Sequence, residues 1–275
     1  MTPPRAALLL ACLIALSLPA SAIAKQVSVS SGGVTATLTY STDAQNYGFK
    51  ADGLTIVRNG QTLYDAVPAP AICQGYPCGP TVGFGKGLPP LQVRDLDADG
   101  EPEVIYSAFT GGAHCCSIAE VFQLSGDAAH YTTVDRNFGD PGFGVQDLNR
   151  DGRPEIVTAD DAFAYTFSAY AFSGLPLSVL QYDHGSFTDV TSAYPRLLRR
   201  EARQFWRAYL KLRHNKDDTS RGQVAAWAAD QYRLGKRSYA RTVLRREVRK
   251  GFLGSPGGGA KFIRVLDKFL RAHGY

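Results

Sequence analysis

The chain has 275 residues, of which 44% are hydrophobic, and 30 Lys+Arg against 25 Asp+Glu give a formal net charge of +5. That length buries a real core in one or two domains. Beyond the N-terminal segment no long apolar run occurs, which excludes a membrane-spanning mature protein built of helices.

The first segment reads as a targeting signal. Arg5 gives a short positive region, Ala6 to Leu18 is apolar, and Ala22-Ile23-Ala24 supplies small residues for cleavage. The apolar run is too short for a bilayer core of about 30 Å. It also continues past Cys12, which disfavours lipoprotein processing at that cysteine. The reading is a signal peptide over 1–24, a mature chain from Lys25 of 275 − 24 = 251 residues, and a periplasmic or extracellular location.

The charge is divided. Residues 25–195 carry 8 Lys/Arg and 19 Asp/Glu, a net of −11, and residues 196–275 carry 21 and 6, a net of +15. This break coincides with a change of hydrophobic period, so the sequence predicts a β-domain over 25–193 and a basic helical domain over 194–275. In the first part, short runs such as VTATLTY (34–40), LTIV (54–57), EVIYSAF (103–109), SIAEVFQL (117–124), EIVTA (155–159) and PLSVLQY (176–182) alternate or are β-branched, with Gly, Pro, Asn and Asp between them.

One phrase recurs. LQVRDLDADGEPEVIYSAF (91–109) aligns with FGVQDLNRDGRPEIVTADD (143–161) at a spacing of 147 − 95 = 52 residues. Repeats of short strands at that period suggest propeller blades. Within the first copy Asp95, Asp97 and Asp99 take positions 1, 3 and 5 of a calcium-loop spacing, Gly100 permits the turn, and Glu101 at position 7 offers its carbonyl. The second copy places Asp147, Asn149, Asp151, Gly152 and Arg153 likewise. An EF-hand would need Glu at position 12, where Tyr106 and Thr158 stand. Glu103 and Glu155 at position 9, each after a proline, close the cage early, and the chain leaves as a strand. The prediction is two Ca²⁺ sites, each in a β-hairpin.

DLDADGEPEV and DLNRDGRPEI resemble the FG-GAP repeat, also called the VCBS repeat, with Phe84-Gly85 and Phe138-Gly139 standing for its Phe-Gly element. The resemblance covers roughly residues 83–175 and implies a β-propeller with calcium buried in blade hairpins. It implies no single activity. Seven blades, usual for a closed propeller of this family, do not fit in about 170 residues; three or four do, one or two of them degenerate, and any blade before residue 91, where the acidic phrase is absent, is expected to be degenerate.

Cys73, Cys78, Cys115 and Cys116 form an even set in an exported chain, which favours disulfides. Four cysteines allow three connectivities; pairing within CQGYPC, with Cys115–Cys116, is preferred over bonds between the two segments. His114 beside the cysteine pair raises a nucleophile reading, which oxidation would remove. Asp160 and Asp161 are either ligands of the second site or surface turn residues, the latter favoured.

From residue 194 a helical period appears. Leu198, Ala202, Phe205, Trp206 and Tyr209 share a face opposite Arg199, Arg203, Arg207 and Lys211. Further apolar stripes run through Val224–Tyr232, Tyr239–Val248 and Phe262–Leu270, so four short helices are predicted. Their excess of cations suggests a polyanion or glycan of the envelope as ligand, or docking on the acidic β-domain; nucleic acid is disfavoured. The functional expectation is a calcium-binding, non-catalytic binding or adhesion-type module. A hydrolase with structural calcium and a purely structural envelope component are the alternatives.

Overall fold

The computed structural model describes residues 24–43, 48–75, 78–82, 88–215, 217–254 and 257–275. The predicted signal peptide, apart from Ala24, and Phe84-Gly85 lie outside them. The fold is mainly β, followed by four helices. Three antiparallel sheets lie in chain order, and among the described residues no sheet closes on itself.

The first sheet is a meander of β1 (Lys25–Ser31), β2 (Val34–Asp43), β3 (Gly48–Arg58) and β4 (Gln61–Ala66). Strand alternation sends Val34, Ala36, Leu38, Leu54 and Ile56 to one face, where all are fully buried. The other face is hydroxyl-rich: Ser28 pairs with Thr37 at 2.9 Å and Ser30 with Thr35 at 2.8 Å.

The second sheet runs β7 (Glu103–Gly112), β8 (Cys115–Leu124) and β9 (Tyr131–Asn137). Along the free edge of β7 lie β5 (Gly79–Pro80) and β6 (Leu91–Arg94), which together act as one interrupted first strand. The third sheet is β10 (Gly144–Gln146), β11 (Glu155–Ala159), β12 (Leu177–Asp183) and β13 (Ser186–Asp189). Val93, Val104, Tyr106, Ile118 and Phe122 pack on the first sheet. Ile105, Ala119 and Val121 point the other way, onto Ile156, Leu180 and Tyr182 of the third. The three sheets therefore stack face to face in chain order, with a core in each interface. The first sheet lacks the acidic phrase and is nonetheless a complete four-stranded meander.

The helices are α1 (Pro195–Leu212), α2 (Thr219–Arg233), α3 (Arg237–Arg249) and α4 (Ala260–Ala272). Pro195 opens α1, where its missing N–H costs nothing. Buried acids tie the helices together. Glu247 accepts from Tyr209 at 3.1 Å and from Arg213 at 3.3 Å, and Asp267 accepts from Tyr232 at 2.7 Å and from Arg237 at 3.1 Å.

The helical core is not built from 194–275 alone. Phe163 and Phe167, on the connection between β11 and β12, are buried in it. Contacts from the helices return to the third sheet. Glu201 accepts from the Leu177 N–H at 2.8 Å, Arg233 pairs with Asp189 at 2.9 Å, and the Tyr275 hydroxyl donates to Asp160 at 2.8 Å. Part of the basic bundle thus docks on the third sheet of the acidic β-part. Two predicted core residues differ. Tyr239 is 57% exposed and Val265 50%, because a helical period marks a face without saying that a neighbour covers it.

Candidate metal centre

Both acidic phrases connect the first and second strands of a sheet. Residues 95–102 join β6 to β7, and residues 147–154 join β10 to β11, with Arg94 opposite Glu103 and Gln146 opposite Glu155. The loops share one backbone path. Position 4 is left-handed in each (Ala98, φ 62°; Arg150, φ 65°), as is position 6 (Gly100, φ 91°; Gly152, φ 90°). Only the glycine adopts that conformation at little cost. Both first aspartates therefore accept from the loop's own amides. Asp95 takes the N–H of Ala98 at 2.7 Å and of Gly100 at 2.9 Å; Asp147 takes those of Arg150 at 2.6 Å and Gly152 at 3.0 Å.

The position-9 glutamates also match. Glu103 accepts from the Leu96 N–H and Glu155 from the Leu148 N–H, each at 2.8 Å. Both are almost completely buried. Burial, with Asp97 and Asp99 adding repulsion, pushes the Glu103 carboxyl up to about 8. At position 5, Asp99 accepts from the Glu101 N–H at 2.7 Å and Asp151 from the Arg153 N–H at 2.9 Å.

Position 7 faces elsewhere. The Glu101 carboxylate takes a forked bond from Arg58 (2.6 and 2.7 Å) at the β3 end, and Arg153 donates to the Tyr182 carbonyl at 2.8 Å. Their side chains are occupied by the neighbouring hairpins, which leaves the backbone carbonyls as their contribution to a cage.

Sequence reasoning missed one part of the first site. The turn between β12 and β13 brings Asp183 and His184 to Asp97, and ligand atoms of the three lie within 4.8 Å of one another, as do those of Asp95, Asp97 and Asp99. The His184 N–H donates to Asp97 at 3.2 Å, and its ring lies 2.8 Å from Asp183. Asp183, followed by Asp97, raises the pKa of His184. The only signal was Asp-His-Gly between two strands, which marks a turn but names no neighbour 87 residues away. The second loop instead has Tyr194, before α1, bonded to Glu155.

Asp160 and Asp161 belong to neither loop. They lie at the opposite end of β11, where Asp160 accepts from the Ala162 N–H at 3.0 Å and Asp161 presses on Gly139, whose φ is 63°. Both are turn residues, as the favoured reading has it, but half-buried rather than free at the surface: Asp160 also accepts from Tyr275, and burial raises the pKa of Asp161.

Cys73 bonds to Cys78 across 5.6 Å between Cα atoms, and Cys115 to Cys116. His114 stacks on Tyr170 with ring centroids 3.8 Å apart, so no free thiol stands beside it. Alkylation without reductant should label none of these four cysteines. Four labelled thiols would overturn the pairing and revive the nucleophile, and a linked peptide joining 73–78 to 115–116 would replace the connectivity.

Two curated proteins are similar to part of this chain. The chain is 32% identical over 149 residues to a probable thylakoid lumen protein of a Synechocystis strain, which covers 53% of the chain and 44% of that protein. It is 31% identical over 150 residues to an uncharacterized protein of Sinorhizobium fredii, which covers 54% of the chain and 23% of that protein. The chain thus spans less than half the length of each. No protein-family model matches it, and no solved structure does.

Proposed function

We propose that this protein is an exported calcium-binding module of the FG-GAP/VCBS kind that binds an envelope or extracellular ligand and carries out no catalysis. One observation carries the calcium reading: two loops 52 residues apart in sequence share the same hairpin position, the same two left-handed residues and the same amide-to-carboxylate bonds. A hard cation with six to eight oxygen ligands fits such a donor set. In the first loop Asp95, Asp97, Asp99, the Glu101 carbonyl and Glu103 would hold it. In the second, Asp147, Asn149, Asp151, the Arg153 carbonyl and Glu155 would do so. The ion's role is structural. It neutralises clustered carboxylates and pins the hairpins at one end of the stack.

The similarity to a thylakoid lumen protein supports an exported or lumenal location. Among the described residues no helix is long and apolar enough to cross a membrane. A binding rather than catalytic role rests on the disulfide-bonded cysteines and on carboxylates already committed to backbone amides and arginines.

Calorimetric titration of the metal-free mature chain with Ca²⁺ should give two sites with a Kd of about 10⁻⁴ M. Asp97→Ala and Asn149→Ala, changes at the same position of the two loops, should each remove one. The first site should be the tighter, since it offers more carboxylates. At about 1 mM free calcium each site then adds about 1.4 kcal/mol of stability, so chelation should lower the Tm. A stoichiometry of zero, or two sites retained in both variants, sinks the reading.

A further inference from the structure

We infer that a groove on the helical domain, remote from the acidic loops, is a binding site for a short anionic saccharide. It has a volume of about 670 Å³ and lies between α1, the C-terminal part of α2 and the start of α3. Aromatic rings and cations without ion-pair partners meet in this groove.

The floor is aromatic. Trp206 packs on Trp227 with ring centroids 4.7 Å apart, and Trp227 on Tyr239 at 6.2 Å. Trp227 is buried and Trp206 half-buried, whereas Tyr239 is 57% exposed at a position whose helical period predicts core. An exposed ring continuous with a buried aromatic stack offers the apolar face of a sugar ring a surface without reordering side chains.

The walls are cationic. Arg199, Arg203 and Arg207 follow one another at four-residue intervals on α1, and Lys236 stands at the α2–α3 turn. At 1.5 Å rise per residue the three arginines span about 12 Å of helix, the reach of two or three sugar units. All three are exposed, no acid lines the groove, and no ion pair to them occurs among the described residues. The other cationic hollow, between α3 and α4, differs on both counts. There Asp267 lines the hollow and pairs with Arg241 and Arg271, and no aromatic ring lines it. Fixed cations without counter-charges attract an anion of matching reach.

A saccharide fits better than a nucleic acid. Base stacking uses open aromatic faces along a long basic track. Here one ring is open, the track is short, and the adjoining β-part carries a net charge of −11. The choice of sugar over nucleic acid also draws on the exported location proposed above, but the groove does not involve the calcium loops.

The chain's only two tryptophans are both in the groove, so their fluorescence reports on it directly. The mature chain is titrated with an oligogalacturonate hexamer, a heparin-derived hexasaccharide, neutral maltohexaose and an oligo-dT of comparable charge. Expected results are a saturable change with at least one anionic saccharide and none with maltohexaose. Arg199→Gln/Arg203→Gln/Arg207→Gln should weaken that binding about tenfold, equivalent to about 1.4 kcal/mol. Tyr239→Ala, which alters no charge and no buried contact of the arginines, should weaken it severalfold. Arg245→Gln/Lys268→Gln, on the other hollow, should leave it unchanged. The inference is overturned by no response to either anionic saccharide, by equal loss in the control variant, by an unaltered Kd in Tyr239→Ala, or by tighter binding of oligo-dT. Because chelator is present throughout, a failed calcium titration and a failed saccharide titration are separate outcomes.

Discussion

Phe163→Ala is expected to destabilise the protein by about 3–5 kcal/mol, the range for emptying a well-packed aromatic site. Phe163 is 1% exposed, and its ring lies 4.9 Å from Phe269, 5.7 Å from Tyr275 and 6.0 Å from Phe167. None of the atoms lost is polar, and the surrounding rings are rigid, so the site collapses poorly. The informative part of the result is its distribution. Phe163 comes from the third sheet but packs within the helices, so the two parts should unfold together and the single calorimetric transition should fall by about 10 °C. Two transitions in the wild-type protein, of which only one moves, would show that the helices fold apart from the sheet. A shift below about 2 °C would remove Phe163 from the core.

The second large effect is electrostatic. Asp230 on α2 has no exposed surface and faces Glu201 on α1. Burial, then repulsion from Glu201, pushes its carboxyl up to about 9, and burial also raises Glu201. The folded protein therefore keeps a proton on this pair that the unfolded chain releases near pH 4. Stability is fully present below that pH and is lost as pH rises towards 9. Asp230→Asn, which cannot ionise, should equal the wild type at pH 4 and exceed it by a margin that grows to several kcal/mol as pH rises towards 9. Urea unfolding of both proteins at pH 4, 7 and 9 measures the gap. A gap that does not change with pH would mean that the pair does not hold the proton.

What the sequence showed of this molecule depended on whether the information was local. The two acidic loops were legible because a calcium-type loop is built within ten residues, by side chains that cap their own backbone. The helical domain was legible from period and charge. The first sheet was visible as strands but its packing was not, since its partner surface is supplied by β6 and β7. Asp183 and His184 were missed for the same reason: their place beside Asp97 follows from the stacking of the third sheet on the second. Phe163 and Phe167 stand in a segment without helical period, and only the packed structure shows that they complete the helical core. Tyr239 erred in the other direction, because periodicity assigned it to an interior that no neighbour provides.

The hydroxyl-bearing outer face of the first sheet has a consequence for how this architecture grows by duplication. A sheet inserted between the second and the third would meet apolar residues on both sides and could repeat the 52-residue unit with its register intact. A sheet added ahead of Lys25 would lay its apolar face on Ser28, Ser30, Thr35 and Thr37, burying hydroxyls that now satisfy one another in water. The helices, held by Arg233, Glu201 and Tyr275, occupy the other end. Within this chain an added copy of the 52-residue unit is therefore best accommodated between the second and third sheets, where apolar faces meet on both sides.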